Sequence, residues 1–174
     1  MSQQNSKSAS IASNGYGCLV LLMFFGIIFL ICRPSFLAKA RNGKQSEARG
    51  YVSSINKGQQ AYFAEQSVFS TSVKALGIGI KTETENYKYF IVSTKKATFN
   101  YGVSKQKDLK SYVGGVFVIP ATKVTSNAST NKIMTTSILC KADSAGTIKP
   151  PEPTNQNGKI ACATGTVELT YRYH

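Results

Sequence analysis

The longest apolar stretch of the chain lies near its amino terminus. Residues 16–32 carry no charge, and a basic residue ends the run. That length is at the short end of the roughly 17 to 25 residues of a membrane-spanning helix. A cleaved signal peptide is the alternative, but it needs a basic start and a small-residue cleavage site, and only Lys7 is basic upstream. The pattern predicts a polar tail over residues 1–15 and an uncleaved transmembrane helix over residues 16–33.

A helical period continues beyond this run, over residues 34–66. Apolar positions and one polar position recur at spacings of three and four and fall on one helix face, namely Ala48, Val52, Ile55, Gln59 and Tyr62. Such a stripe predicts an amphipathic helix that packs on a core. Pro34 lies inside the run. Because proline removes a backbone hydrogen bond, a continuous helix is expected to kink there.

The pattern changes after residue 66. Residues 67–84 predict a loop with a short helix, and β-type runs rich in Tyr, Phe, Val, Ile and Thr follow at 87–93, 97–104, 112–119, 133–141 and 159–173. Lys95 and Lys96 suit a hairpin turn, and the Pro- and Asn-rich residues 149–158 suit an exposed loop.

These runs predict the fold class and the domain organisation. No helical pattern separates the β-type runs, so an antiparallel sheet of four or five strands is expected over residues 85–174. The fold class is therefore α+β, with a long N-terminal helix, membrane-spanning in its first half, packed on that sheet. Residues 34–174 are expected to form one globular domain.

Two cysteines flank the predicted loop. Cys140 and Cys162 are too far apart in sequence for a C-x-x-C redox pair or a zinc pattern, and no histidine is nearby. In an oxidising compartment they would form a disulfide worth roughly 3 kcal/mol on the loop-entropy model. The alternative is two buried free thiols that pack as small apolar side chains.

Charge adds a candidate binding surface. The chain has 21 Lys and Arg against 8 Asp and Glu, a net charge of +13. Lysines cluster in sequence near Tyr101 and Tyr112, a combination that can contact DNA or an anionic polysaccharide: Lys95, Lys96, Lys105, Lys107 and Lys110. The alternative is a solvated basic face whose aromatic neighbours pack in the sheet.

Composition argues against an enzyme. The only histidine is His174 and acidic residues are few, so a histidine-based triad, a histidine-rich metal site and a carboxylate pair all lack their residues. A Ser–Lys dyad is the remaining enzymatic alternative, but no motif selects one pair. We expect no catalytic residue, no cofactor and no bound metal.

A series of short elements along the helix identifies a family resemblance. They occur in the order Pro34-Ser35-Phe36-Leu37, Lys44-Gln45-Ser46-Glu47-Ala48, Tyr51-Val52, Ile55-Asn56, Gln59-Gln60-Ala61-Tyr62, Glu65 and Leu76-Gly77-Ile78-Gly79. With them the chain resembles the type IV pilins and pilin-like proteins of cyanobacteria, including the G and H types also described as general secretion pathway pseudopilins. The resemblance covers about residues 17–92 and implies a long helix on an antiparallel sheet.

The resemblance also implies a function. Such proteins are non-enzymatic structural or accessory proteins of a pilus or a type II secretion-like system. They are anchored in the inner membrane with the globular domain facing the periplasm, and their partners are the lipid bilayer and other pilins or assembly proteins. The flanking charges favour the opposite orientation, because basic residues follow the apolar run. A periplasmic binding module for DNA or polysaccharide is the alternative function.

One family feature is missing from the sequence. Pilin precursors are usually cut after a glycine, with a glutamate five residues beyond the cut. A cut after Gly15 puts Val20 at the glutamate position, and counting back from Pro34 puts Gly17 there. The first acidic residue of the chain is Glu47. We therefore expect the N-terminal segment to remain uncut.

Overall fold

The computed structural model describes residues 15–120 and 133–169. The helix α1 covers Gly15–Gln66, and a 3-10 helix covers Lys74–Leu76. Seven strands follow: β1 Tyr87–Ser93, β2 Ala97–Ser104, β3 Lys110–Pro120, β4 Ile133–Ala145, β5 Thr154–Gln156, β6 Lys159–Ala161 and β7 Thr166–Glu168. The chain divides into two units, residues 1–40 and residues 41–174, and α1 has residues in both.

The second unit contains the sheet. Five strands pair antiparallel in the order β1-β2-β3-β4-β7, and β5 and β6 form a separate hairpin. The part of α1 from Arg41 onward packs on one face of the five-stranded sheet. This arrangement confirms the predicted α+β fold, a long helix on an antiparallel sheet.

The helix–sheet interface uses the predicted stripe. Ala48, Val52, Ile55 and Gln59 are fully buried, and Tyr62 is half-buried. The apolar members pack with three tyrosines of the sheet and with neighbouring aliphatic side chains, namely Tyr87, Tyr89, Tyr112, Leu109 and Leu139. The three- and four-residue spacing of the stripe therefore predicted correctly which helix residues pack in this core.

A second core lies on the opposite face of the sheet. It contains Tyr101, Val113, Phe117 and Ile138, all buried, with Ile160 packed against them. The segment after β4 folds back to cover this face, so the sheet is covered on both sides.

The strand predictions differ in accuracy along the chain. β1 and β2 have the predicted bounds, with Lys95 and Lys96 in the turn between them. The single run predicted over 159–173 is wrong, because β6 ends at Ala161 and β7 starts only at Thr166. A turn separates them, in which Gly165 has a φ of 86° and the Thr166 N–H donates to the Ala163 carbonyl at 3.0 Å.

The predicted loop 149–158 also needs a correction. It contains β5, which pairs with β6 across a two-residue turn. Asn157 has a φ of 55° and Gly158 a φ of 90°, and both values suit the Asn-Gly turn that joins hairpin strands. The adjacent prolines concealed this short hairpin in the sequence pattern.

The N-terminal predictions lie partly outside the described residues. Residues 1–14 of the polar tail are not described, nor are the side chains at 15, 16, 18, 19 and 29–36. Within the part of the chain that is described, no helix has the length and apolar character needed to cross a membrane. The span over residues 16–33 and the kink at Pro34 stay predictions.

Candidate functional site

An exposed apolar surface surrounds α1 in the first unit. Each of its large side chains is between 52% and 69% exposed: Val20, Leu21, Leu22, Met23, Phe24, Phe25, Ile27 and Ile28. Successive helix residues are about 100° apart, so this run covers every side of the helix. A helix that is apolar all round is typical of burial in lipid or among other helices. We call residues 20–28 the apolar collar.

A buried polar cluster fixes α1 on the sheet in the second unit. The Asn56 Nδ2 donates to the Ile138 carbonyl at 3.0 Å, and its Oδ1 accepts from the Asn100 Nδ2 at 2.8 Å. One turn further, the Gln59 side chain exchanges two hydrogen bonds with the Ser70 backbone at 2.8 and 3.0 Å. Because Asn56 is buried and bonded to two strands, it fixes the position of the helix along the sheet, and Gln59 fixes the helix to the loop that follows it.

Two glycines of the sheet allow this close approach. A Cβ on Gly114 would overlap the Asn56 Oδ1 and lie 2.7 Å from its Cγ. A Cβ on Gly102 would lie 2.9 Å from the Val52 Cγ2. Only glycine leaves room at these two positions, so the interface is specified by sheet residues as well as by the helix stripe. The sequence identified Gln59 as a polar member of the stripe, but it did not predict the residues that Gln59 contacts.

Buried tyrosines add hydrogen bonds rather than acid–base chemistry. The Tyr89 hydroxyl donates to the Glu47 Oε1 at 3.1 Å, and the Tyr51 ring lies 5.1 Å from the Tyr89 ring. Burial raises the pKa of Tyr89 well above its usual value, and the Glu47 carboxylate raises it further. The phenol therefore stays protonated at any physiological pH and acts as a structural donor.

The cysteine-closed loop is attached to the second face of the sheet. The structure forms the predicted disulfide between Cys140 and Cys162. Within the loop, the Glu152 Oε1 accepts from the Tyr101 hydroxyl at 2.8 Å, and the Lys149 Nζ lies 4.5 Å from the centre of the same ring. The loop is therefore held by a covalent bond at its end and by a charged pair above Tyr101.

The predicted lysines lie at two ends of the sheet. Lys95 and Lys96 are exposed in the β1–β2 turn, whereas Lys105 and Lys107 lie in the β2–β3 turn and Lys110 begins β3. The two turns are joined by the eight residues of β2, a separation of more than about 20 Å. The structure therefore brings the five lysines together in two groups and not in one.

Two lysines of the second group already have partners. The Lys105 Nζ lies 2.6 Å from the Glu83 Oε1, a contact that lowers the pKa of the exposed Glu83 carboxyl. The Lys110 Nζ donates to the Asp143 carbonyl at 2.6 Å. Across residues 15–120 and 133–169, no group of three or more His, Cys, Asp or Glu residues is positioned to hold a metal ion.

Comparison with known proteins agrees with this architecture. A family model described as type IV pilin-like G and H matches residues 45–163, which is well over half of the chain. No curated protein and no solved structure matches the chain significantly. The matched region contains α1 from Gln45 onward, the buried polar cluster and the disulfide-closed loop. The chain therefore belongs to the type IV pilin-like G and H family.

Proposed function

We propose that this protein is a membrane-anchored, non-enzymatic subunit or accessory protein of a pilus or a type II secretion-like machine. The main support for membrane anchoring and helix packing is the apolar collar. Eight large apolar side chains on all sides of one helix need a lipid or protein environment, since together they would expose far more apolar area than a soluble protein tolerates. The family membership supports a structural role.

Residues 16–33 would anchor the protein, and α1 would also offer its apolar surface to the helices of neighbouring pilin-like subunits. The bilayer and other pilins or assembly proteins are then the partners. The globular unit would face the periplasm, because a disulfide such as Cys140–Cys162 persists in an oxidising compartment. Basic residues after the apolar run oppose this orientation, but long domains translocate largely regardless of flanking charge.

Charge substitutions in the apolar collar test the anchoring. We expect the full chain to stay in the membrane fraction after carbonate washing, and Phe24→Lys with Phe25→Lys to release most of it. Each lysine at the centre of a span costs about 3 kcal/mol. Ile148→Lys is the matched control, because Ile148 is 82% exposed in the second unit. Wild-type protein released by carbonate, or a double variant that stays bound, would contradict the anchoring.

The amino terminus provides a second prediction. Because the glutamate of the usual processing motif is missing, we expect the intact mass of the membrane-extracted protein to include the segment before Gly15. A control pilin that carries the usual motif, expressed in the same cells, should be shortened. A mature amino terminus between residues 13 and 18 would refute the expectation of an uncut segment.

Binding of an anionic polymer is the second candidate function, favoured by the net charge of +13. On this candidate, single-stranded DNA or an acidic polysaccharide should bind at low salt and dissociate steeply toward physiological salt. Since the lysines form two groups, Lys95→Gln with Lys96→Gln should weaken binding more than substitution of Lys105 and Lys110, which have partners. No binding at low salt would eliminate this candidate.

A further inference from the structure

Two Asn-Gly pairs lie in the described part of the chain, and their surroundings differ. Asn42 and Gly43 are inside α1, whereas Asn157 and Gly158 form the turn between β5 and β6. Asparagine followed by glycine is prone to deamidation, because glycine has no side chain that hinders attack by its own backbone nitrogen on the asparagine side chain. The local backbone of each pair decides whether that attack can take place.

The reaction needs only water from outside the protein. The Gly158 backbone nitrogen would attack the Asn157 Cγ and lose its proton, and the side-chain nitrogen of Asn157 would leave as ammonia. The product is a cyclic succinimide that contains atoms of both residues. Water then opens the ring at either of its carbonyl groups and leaves aspartate or isoaspartate. Both products carry a negative charge that asparagine lacks.

The helix α1 protects Asn42 from this reaction. Asn42 and Gly43 lie well inside the helix, which covers Gly15–Gln66. In an α-helix each backbone N–H donates to the carbonyl four residues earlier, so the Gly43 nitrogen is occupied by a helix bond. That nitrogen can approach the Asn42 side chain only when the helix unfolds locally.

The β5–β6 turn is held much less firmly. Each strand has three residues, and all three side chains of β5 are exposed. A two-stranded hairpin is at best marginally stable by itself, so this one is expected to open often. Asn157 is exposed and therefore in contact with the water that the reaction requires.

One side chain restrains the turn. The Asn155 Oδ1 accepts a hydrogen bond from the Gly158 N–H at 2.9 Å. The nitrogen of this N–H is the atom that would attack Asn157. While the bond is intact, Asn157 and Gly158 keep the positive φ values of an Asn-Gly hairpin turn, and the nitrogen is held by Asn155. The hydrogen bond from Asn155 therefore opposes the reaction at Asn157.

We propose that Asn157 is a deamidation site and that the Asn155 side chain sets its rate. Each opening of the hairpin releases the Gly158 nitrogen, so Asn157 is converted gradually as the protein ages. Isoaspartate adds a carbon atom to the backbone of the turn and disturbs the pairing of Gln156 with Lys159. The disulfide-closed loop thus gains a negative charge and loses its hairpin. The reaction requires neither the membrane anchor nor a partner protein.

Peptide mapping by mass spectrometry tests the site in the full chain. The protein is incubated in a mild detergent at physiological temperature and slightly alkaline pH, and conversion is followed at both Asn-Gly pairs. We expect aspartate and isoaspartate to accumulate at Asn157 and conversion at Asn42 to be much slower. No conversion at Asn157, or conversion at Asn42 that is equally fast, would overturn the proposal.

Three variants test the role of Asn155. Asn155→Ala removes the hydrogen bond, and we expect Asn157 to be converted about five-fold faster, as for the loss of one ordinary hydrogen bond. Asn155→Asp keeps an oxygen acceptor and should not exceed the wild-type rate. Gln156→Ala is the matched control, because it shortens the neighbouring exposed side chain and leaves the bond to Gly158 intact.

The comparison of these rates decides the role of the hydrogen bond. Equal rates in the wild type and in Asn155→Ala would refute control by Asn155. An acceleration in Gln156→Ala as large as that in Asn155→Ala would assign the effect to general loosening of β5, and it would refute control by Asn155 as well.

Discussion

Replacing Gly114 with alanine is expected to lower the free energy of unfolding by about 3 kcal/mol, the upper part of the range for overpacked cores. The added Cβ would overlap the Asn56 Oδ1, and Asn56 cannot move away without breaking its bonds to Asn100 and Ile138. Both the packing and the buried polar cluster are therefore damaged by one methyl group. Urea denaturation of the protein in a mild detergent measures the effect.

Two further variants separate this mechanism from a general effect of alanine. Gly50→Ala places a methyl group on an exposed helix position with nothing within 4 Å, and should raise stability by up to about 1 kcal/mol. In an Asn56→Ala background, Gly114→Ala should cost much less than alone, because the overlapping side chain is gone. Fully additive losses in the double variant would show that the Gly114–Asn56 contact is not the cause.

Removing the disulfide is expected to cost about 2–4 kcal/mol. The bond joins residues 22 positions apart and attaches the loop to the second face of the sheet, where Cys140 is fully buried. Cys140→Ala with Cys162→Ala avoids the buried hydroxyl that serine would introduce, so it measures the crosslink more cleanly. Thermal unfolding with and without reductant provides the measurement.

The control for the disulfide is the reduced wild-type protein. Its stability should approach that of the double alanine variant, and thiol labelling of the denatured, unreduced wild type should find Cys140 and Cys162 unreactive. A single Cys140→Ser change should expose Cys162 to labelling. Four reactive thiols in protein taken from its native cells would contradict the bond, and would favour the cytoplasmic orientation that the flanking charges indicate.

Local patterns predicted those parts of the fold that local forces determine. The helix stripe through Val52 and Ile55 could be predicted because burial on one face of a helix imposes a regular spacing of apolar residues along the sequence. β1 and β2 could be predicted because the charged residues Lys95 and Lys96 separate two β-type runs. The turn at Gly165 and the β5–β6 hairpin were missed, because three-residue strands are too short to establish a period and their pairing depends on tertiary contacts.

Nonlocal features of the site needed the structure. The five lysines are close in sequence, but a strand runs between the two groups and carries them to opposite ends of the sheet. The partnership of Asn56 with Asn100 and Gly114 joins residues from three elements, and no spacing along the chain encodes it. In the sequence, the polar residue Gln59 within the apolar stripe was the one indication of a buried polar contact.

Photo-crosslinking from the apolar collar tests whether the protein is an anchored pilin-like subunit. A photoreactive residue at Leu22, which is 64% exposed, would be activated in native cells and compared with one at Ile148. If the protein is an anchored pilin-like subunit, Leu22 should cross-link to lipid and to the apolar helix of another pilin or assembly protein, and Ile148 should not. Products at Leu22 that match those at Ile148, with neither lipid nor a pilin-like partner among them, would contradict the role of an anchored subunit.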